Sequence, residues 1–160
     1  YRLGRSAEMK ISRWTPLADR LWPRTDRATG CWPWLGGTRE GYGAISVKGR
    51  GKGAHVVAWE LTNGRPVPPG QQVDHLCHNR RCINPDHLRV VTPSQNQQNR
   101  RGASRNSQTG VRNVYPRRGG YTVRVARKHI GDFQNLAEAE AAAVAARRAM
   151  MPFSVVDQAA

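Results

Sequence analysis

The reactive side chains of this chain crowd into one short stretch, Asp74-His75-Leu76-Cys77-His78-Asn79-Arg80-Arg81-Cys82-Ile83-Asn84-Pro85-Asp86-His87-Leu88. Cys77, Cys82 and His87 recur there at five-residue intervals. Soft thiolates and an imidazole in one compact loop are what tetrahedral zinc takes. A closed structural site needs four ligands, and Cys31 is the sole remaining cysteine, so it is the expected fourth. A set of three cysteines and one histidine leaves no open position for substrate, which makes the expected role structural. The competing reading is three buried thiols that merely pack. The clustering, with an Asn84-Pro85 turn and a histidine close by, favours metal. An odd cysteine count also fits a reducing compartment better than a disulfide framework.

Asp74, His75 and Asn96 carry a second kind of chemistry. A neutral imidazole can take a proton from water near pH 7. A carboxylate and an amide oxygen are hard ligands suited to Mg²⁺, which keeps several waters and holds a phosphate. Together these are the parts needed to hydrolyse a phosphodiester. A histidine that simply faces solvent is the commoner case, so on residue types alone catalysis rests on three side chains.

The elements that must position them are short. Residues 1–30 are basic and irregular, with Trp14, Trp22, Pro16 and Pro23, and read as a surface arm laying its tryptophans on the next domain, with a helical turn near Leu17–Leu21. Tyr42–Val47 alternates as a half-buried strand, Gly49–Gly53 is a hairpin tip, and Ala54–Leu61 is a helix or a buried strand. Strands are expected at Gln72–His75 and Arg89–Val91. Thr92 as N-cap, Pro93 at the first position and Gln95 closing a capping box mark a helix that holds Asn96 in its first turn. A polar, basic stretch around Gln97–Gly110 reads as a helix end running into a linker. Three strand-like runs follow at Val111–Pro116, Tyr121–Ala126 and Lys128–Phe133. An alanine-rich helix then starts at the N-cap Asn135, with Glu138 near its beginning and Arg147 and Arg148 near its end.

Charge narrows the partners. The 160 residues hold 26 Lys and Arg against 11 Asp and Glu, a net +15. Such a chain draws in polyanions, with nucleic acid ahead of an anionic membrane surface. No run of about 18 apolar residues is present to span a bilayer, and the N-terminus shows no apolar signal-peptide region. A cytoplasmic location is expected, at the nucleoid of the host if the source is phage or bacterial. With 38% hydrophobic residues the chain can build small cores and is no disordered tail. Both halves are cationic, +8 over residues 1–96 and +7 over 97–160, and residues 97–131 carry nine basic side chains without one acid.

The run Val73–Cys82, then Asn84-Pro85-Asp86-His87-Leu88 and Asn96, resembles the HNH nucleases of the ββα-metal fold, and especially their zinc-stapled His-Cys box homing endonuclease branch. Cys31-Trp32-Pro33-Trp34, Gly41-Tyr42-Gly43 and Ala54-His55 resemble segments upstream of that motif in phage and bacterial relatives. The resemblance implies His75 as the general base that activates water. It implies Asn96 and Asp74 as ligands of one catalytic divalent metal, Mg²⁺ or another, and His55 as a phosphate contact near the active site. Cys31, Cys77, Cys82 and His87 match its structural Zn²⁺ set. Asn99, three residues past Asn96 on the same helical face, is a rival for the third HNH position. Arg80, Arg81 and Arg100 would contact phosphates. Homing members often act as homodimers, which leaves a dimer open.

Thr109–Tyr115, Tyr121–Val125, Ile130–Phe133 and Leu136–Ala139 resemble the plant Apetala-type, ethylene-response-factor DNA-binding domain, in which a three-stranded sheet on one helix lies in the major groove. Strand alternation turns Val123 and Val125 to the helix and Thr122 and Arg124 outward. The resemblance implies Arg112, Arg124, Arg127 and His129 on the DNA face, with Arg117, Arg118 and Lys128 beside them.

The expected fold is therefore α+β: a small zinc-stapled ββα-metal nuclease domain, then a three-stranded antiparallel sheet packed on one helix. The expected boundaries are an arm at 1–30, a nuclease domain at 31–101, a linker at 102–110, a DNA-binding domain at 111–150 and a tail at 151–160. The expected activity is metal-dependent hydrolysis of double-stranded DNA. A zinc-containing DNA-binding protein that does not cut is the alternative, disfavoured because Asp74, His75 and Asn96 are all present.

Overall fold

The computed structural model describes residues 15–28 and 30–159. Trp14 and the first part of the expected basic arm lie outside the described residues. Two compact units divide the chain, one of residues Tyr1–Pro68 and Cys77–Arg89, the other of Pro69–Leu76 and Val90–Ala160. Among the described residues no helix is long and apolar enough to cross a membrane.

The first unit opens with helix α1 (Leu17–Leu21) and a 3-10 turn at Trp22–Arg24. A three-stranded antiparallel meander follows, β1 (Thr38–Arg39), β2 (Tyr42–Val47) and β3 (Arg50–Gly53), and then helix α2 (Ala54–Asn63). Each meander hairpin closes on two residues, Glu40-Gly41 and Lys48-Gly49, all four at positive φ. This is the type I′ geometry whose twist matches paired strands. Helix α2 buries Ala54, Val57, Ala58 and Trp59 and ends on left-handed Gly64. Trp22 and Trp32 meet edge to face, with ring centroids 6.4 Å apart and the Arg27 guanidinium near both rings.

Trp34 organises the core of this unit. It is 1% exposed, its indole N–H donates to the Gly37 carbonyl at 2.9 Å, and its own carbonyl accepts from the Arg81 guanidinium at 2.7 and 3.2 Å. A Cβ at Gly43 would lie 2.8 Å from the indole, and one at Gly36 would lie 2.4 Å away. Two glycines are therefore needed for the ring to lie against the strand. Gly43→Ala is expected to cost about 1–3 kcal/mol through overpacking. Urea melts read against Gly37→Ala, where nothing lies within 4 Å, check this.

Strand β4 (Gln72–His75) pairs with β5 (Leu88–Val91), and helix α3 (Pro93–Gln98) follows in the second unit. The expected capping box is present: the Thr92 hydroxyl accepts from the Gln95 N–H at 3.3 Å, and the Gln95 amide oxygen accepts from the Thr92 N–H at 2.8 Å. Next come β6 (Val114–Arg117), β7 (Gly120–Val125) and β8 (Lys128–Phe133), antiparallel in the order β6-β7-β8, and helix α4 (Leu136–Met150). Asn135 caps α4 through the Glu138 N–H at 2.9 Å. Val114, Val123 and Val125 pack against Ala139, Ala143 and Ala146, with Tyr121, Phe133 and Leu136 at the margin. The alanines let helix and sheet approach closely. Ala126-Arg127 joins β7 to β8, again with positive φ at both residues.

Residues 151–160, expected as a tail, contain a helix, α5 (Val155–Gln158). Asp157 is buried there, accepting from Arg147 Nε at 3.0 and 2.9 Å and from the Ser154 hydroxyl. Burial works to raise its pKa, but the Arg147 and Ser154 hydrogen bonds and the charges of Arg147 and Arg112 outweigh it, and the net shift is downward. A depressed carboxylate stabilises the fold above its unfolded value, about 3.9, and that contribution disappears as pH falls through the folded value. Asp157→Asn leaves the Arg147 charge buried without its counterion and is expected to destabilise by about 3–5 kcal/mol at pH 7. Thermal melts should show a gap between variant and wild type that is constant above about pH 4 and narrows as the pH is lowered further.

Candidate metal centre and active site

Three stretches of the first unit converge on one point. The ligand atoms of Cys31, Cys77, Cys82 and His87 all lie within 4.8 Å of one another. His87 Nδ1 is 3.5 Å from Cys31 Sγ and 3.6 Å from Cys82 Sγ. Zinc bonds of about 2.3 Å to sulfur and about 2.0–2.1 Å to nitrogen, at tetrahedral angles, put S and N roughly 3.5 Å apart. The donor set and its spacing thus fit one tetrahedral ion. The loop is tied locally. The Cys82 N–H donates to the Asn79 carbonyl at 2.9 Å, the Asn84 side chain donates to the Gly30 carbonyl at 2.6 Å, and the Asn84 side-chain oxygen accepts from the Asp86 N–H at 3.1 Å. The Asn84 contacts fasten the Cys31 segment to the His87 turn. Burial pushes the Cys77 thiol up to about 12, and the Cys82 thiol rises for the same reason. Backbone N–H groups of Asn79, towards Cys77, and of Asn84 and Trp32, towards Cys82, pull in the thiolate direction without offsetting it. A divalent metal would supply the charge that makes these sulfurs thiolates.

The second unit presents the other chemistry. Asp74 and His75, both 6% exposed, end β4. Asn99, the C-cap of α3, is buried beside them. Its Nδ2 donates to both Asp74 carboxylate oxygens, at 3.2 and 3.0 Å, and to the His75 carbonyl at 3.1 Å. Asn96, half-buried on α3, donates its amide N–H to Gln72 Oε1 at 2.8 Å. In that pairing the Asn96 side-chain oxygen is turned away from Gln72. One carboxylate and one amide oxygen, with an imidazole on the same strand, suit a hard divalent ion and an activated water. Gln72 had no role in the sequence reading, since an exposed glutamine at a strand start carries no signal. Asn99, a rival to Asn96 from sequence, sits against Asp74 instead of beside Gln72.

His55 belongs to the first unit, on α2, with its ring 5.6 Å from that of Tyr42. The exposed Arg80 guanidinium stacks on the other partner of that pair, 5.0 Å from the Tyr42 ring. Arg81, also read as a phosphate contact, spends its guanidinium on the Trp34 carbonyl.

In the second unit Arg112, expected on a DNA face, is turned inward. Its guanidinium, 14% exposed, donates to the carbonyls of Arg100 at 2.8 Å, Gln98 at 2.9 Å and Gln97 at 3.5 Å, and lies 3.8 Å from Asp157. Burial lowers its pKa. Arg100, Arg118, Arg124, Arg127, Lys128 and His129 are exposed. Arg117 pairs with Asp132, which also accepts from His129 Nε2 at 3.1 Å. Bonds from His129, Thr122 and Arg117 hold the Asp132 carboxyl down at about 2. A cavity of about 720 Å³ opens beside these strands, lined among others by Gln97, Arg100, Asn106 and Arg127.

Comparison with known proteins identifies part of this arrangement. Residues 52–98 match the model of the HNH endonuclease family. The match takes in His55, Asp74, His75, Cys77, Cys82, His87 and Asn96, and stops short of Cys31 and Asn99. Protein 2.8 of Escherichia phage T7 is 39% identical over 70 residues, covering 43% of this chain and 48% of that protein. Protein 7.7 of the same phage is 43% identical over 67 residues, covering 41% of this chain and 51% of the relative. The uncharacterized gene 5.3 protein of Enterobacteria phage T3 is 36% identical over 59 residues, 33% of this chain and 57% of its own length. The chain spans about half the length of the curated relatives it matches, and their names carry no activity. No solved structure matches. The family match ends before β6, so it does not bear on the Apetala-like reading, and nothing in these names speaks of homing.

Proposed function

We propose that this chain is a metal-dependent DNA endonuclease whose catalytic residues lie on β4 and α3. The observation that carries the reading is the buried Asp74-His75 pair, held from α3 by Asn99 inside the stretch that matches the HNH endonuclease family. Asp74 and Asn96 hold the catalytic divalent metal, and His75 removes the proton from the attacking water. A divalent ion held there would supply charge stabilisation as negative charge develops on the phosphoryl and leaving oxygens. Cys31, Cys77, Cys82 and His87 hold a structural zinc, supported by their spacing. His55 and Arg80, the two ring-stacking partners of Tyr42, contact phosphate.

The nuclease domain is residues 31–101, followed by a linker at 102–110 and a DNA-positioning domain at 111–150. The outward side of β6–β8, with Arg117, Arg124, Arg127, Lys128 and His129, lies against the duplex in the Apetala-type manner. Phage relatives support a phage setting, and a homing-type endonuclease is the narrower form of that reading, whether carried by an intron or by a free-standing mobile gene. Supercoiled plasmid should be nicked or linearised in Mg²⁺ and left intact in EDTA. Plasmid bound but uncut in every divalent metal tried would leave the non-cutting DNA-binding alternative.

A further inference from the structure

We infer that Asn99 is a positioning residue for Asp74, and that the segment around α5 is what sets it. The inference rests on the proposed nuclease site. The primary amide of Asn99 is used at both ends. Its Nδ2 donates to Asp74 and to the His75 carbonyl, and its Oδ1 accepts from the Val155 N–H at 3.1 Å. An amide can rotate by 180° and exchange its oxygen for its NH₂ at little cost in shape. Turned the other way, it would set an oxygen against the Asp74 carboxylate and an NH₂ against the Val155 N–H. Both contacts would be repulsive, so the Val155 N–H selects the orientation that supports Asp74.

The same segment grips the end of α3 elsewhere. The Phe153 N–H donates to Gln98 Oε1 at 3.3 Å, and Arg112, which is near Asp157, donates to the carbonyls of Gln97, Gln98 and Arg100. Phe153 and Val155 directly, and Asp157 through Arg112, thus tie this segment to the helix that carries Asn96 and Asn99. A carboxylate that accepts fixed hydrogen bonds loses rotational freedom and presents a defined lone pair to a metal. On this account the C-terminal region completes the metal site and is more than a tethered DNA-binding module.

The relay makes no use of the Val155 side chain, only of its N–H. Val155 is the first residue of α5 and follows an extended Ser154, a place where proline is tolerated. Val155→Pro therefore deletes one hydrogen bond with little other cost. It should leave the thermal midpoint and DNA affinity near wild type, weaken Mn²⁺ binding measured by calorimetry without DNA by about 10-fold, and slow cleavage by about 10–100-fold. Raising Mn²⁺ should recover part of the rate, which a merely structural defect would not allow. Asn99→Ala, which also removes the donor to Asp74, should weaken Mn²⁺ binding further. Wild-type Mn²⁺ affinity and wild-type metal dependence of cleavage in both variants would overturn the relay while leaving the nuclease reading intact. A wild-type chain that neither binds Mn²⁺ nor cuts DNA would overturn both.

Discussion

Cys82→Ser is expected to abolish stable folding of the first unit. The cysteine is completely buried, and its sulfur lies within 4.8 Å of the donor atoms of Cys31, Cys77 and His87, a set that joins Cys31 to a stretch far away in sequence. The unit's apolar core is small, built chiefly on Leu21, Trp34, Ile45, Val57, Trp59 and Ile83. A structural zinc contributes about 10–16 kcal/mol of apparent binding free energy at pH 7, which in such a unit is folding free energy. Removing one ligand forfeits most of that, more than a small core leaves in hand. Trp22, Trp32, Trp34 and Trp59 all belong to this unit, so their fluorescence reports on it selectively. Metal analysis should find about one zinc per chain in the wild type and none in the variant. A chelator should produce the same fluorescence change, reversed by added zinc. A folded, zinc-free wild type would remove the metal centre from the account.

Asn96→Ala should cost activity while sparing the fold. The side chain is half-buried, near the start of a short helix, and donates to Gln72. Losing that bond costs about 0.5–1.5 kcal/mol. In the proposed site Asn96 is one of two protein ligands to the catalytic metal, and its loss there would remove transition-state charge stabilisation worth several kcal/mol, a drop of about 10²–10⁴ in rate. Single-turnover cleavage at saturating protein checks this, with urea melts on the same preparations. Equal rates for Asn96→Ala and wild type would move the ligand role to another residue, with Gln72 first in line.

Much of the second unit was legible because its signals are local. Thr92-Pro93 with Gln95 specifies a helix start through hydrogen bonds spanning four residues. The alternation Thr122-Val123-Arg124-Val125 specifies which side of β7 is buried, and both valines are fully buried. The metal cluster was legible for a different reason, since few side chains can hold a soft ion and the chain offers few of them. Ala54–Leu61 is apolar enough for helix or buried strand. It is a helix, and Trp59 and Val57 find their core only in the tertiary fold.

What escaped the sequence was long-range and polar. Arg112 looked like the other arginines of a basic stretch, but Asp157 and three backbone carbonyls, all distant or non-local, hold it inward. No property of Arg112 itself distinguishes it from Arg124. Asp157 and Ser154 likewise lie in ten residues with no apolar period, and their burial depends on Arg147 arriving from α4. The role proposed for Asn99 depends on a backbone N–H fifty-six residues away. A single sequence carries no mark of such a bond.

In the proposed mechanism His75 activates water for phosphodiester hydrolysis at a metal held by Asp74 and Asn96. Its most direct test is cleavage by wild type and His75→Ala under conditions where both are shown to saturate the same duplex in Mg²⁺. General-base removal should slow cleavage by about 10²–10⁴-fold while leaving DNA affinity and its salt dependence unchanged. Cleavage by His75→Ala at the wild-type rate, or a wild type that saturates the duplex and leaves every phosphodiester intact, would contradict the account.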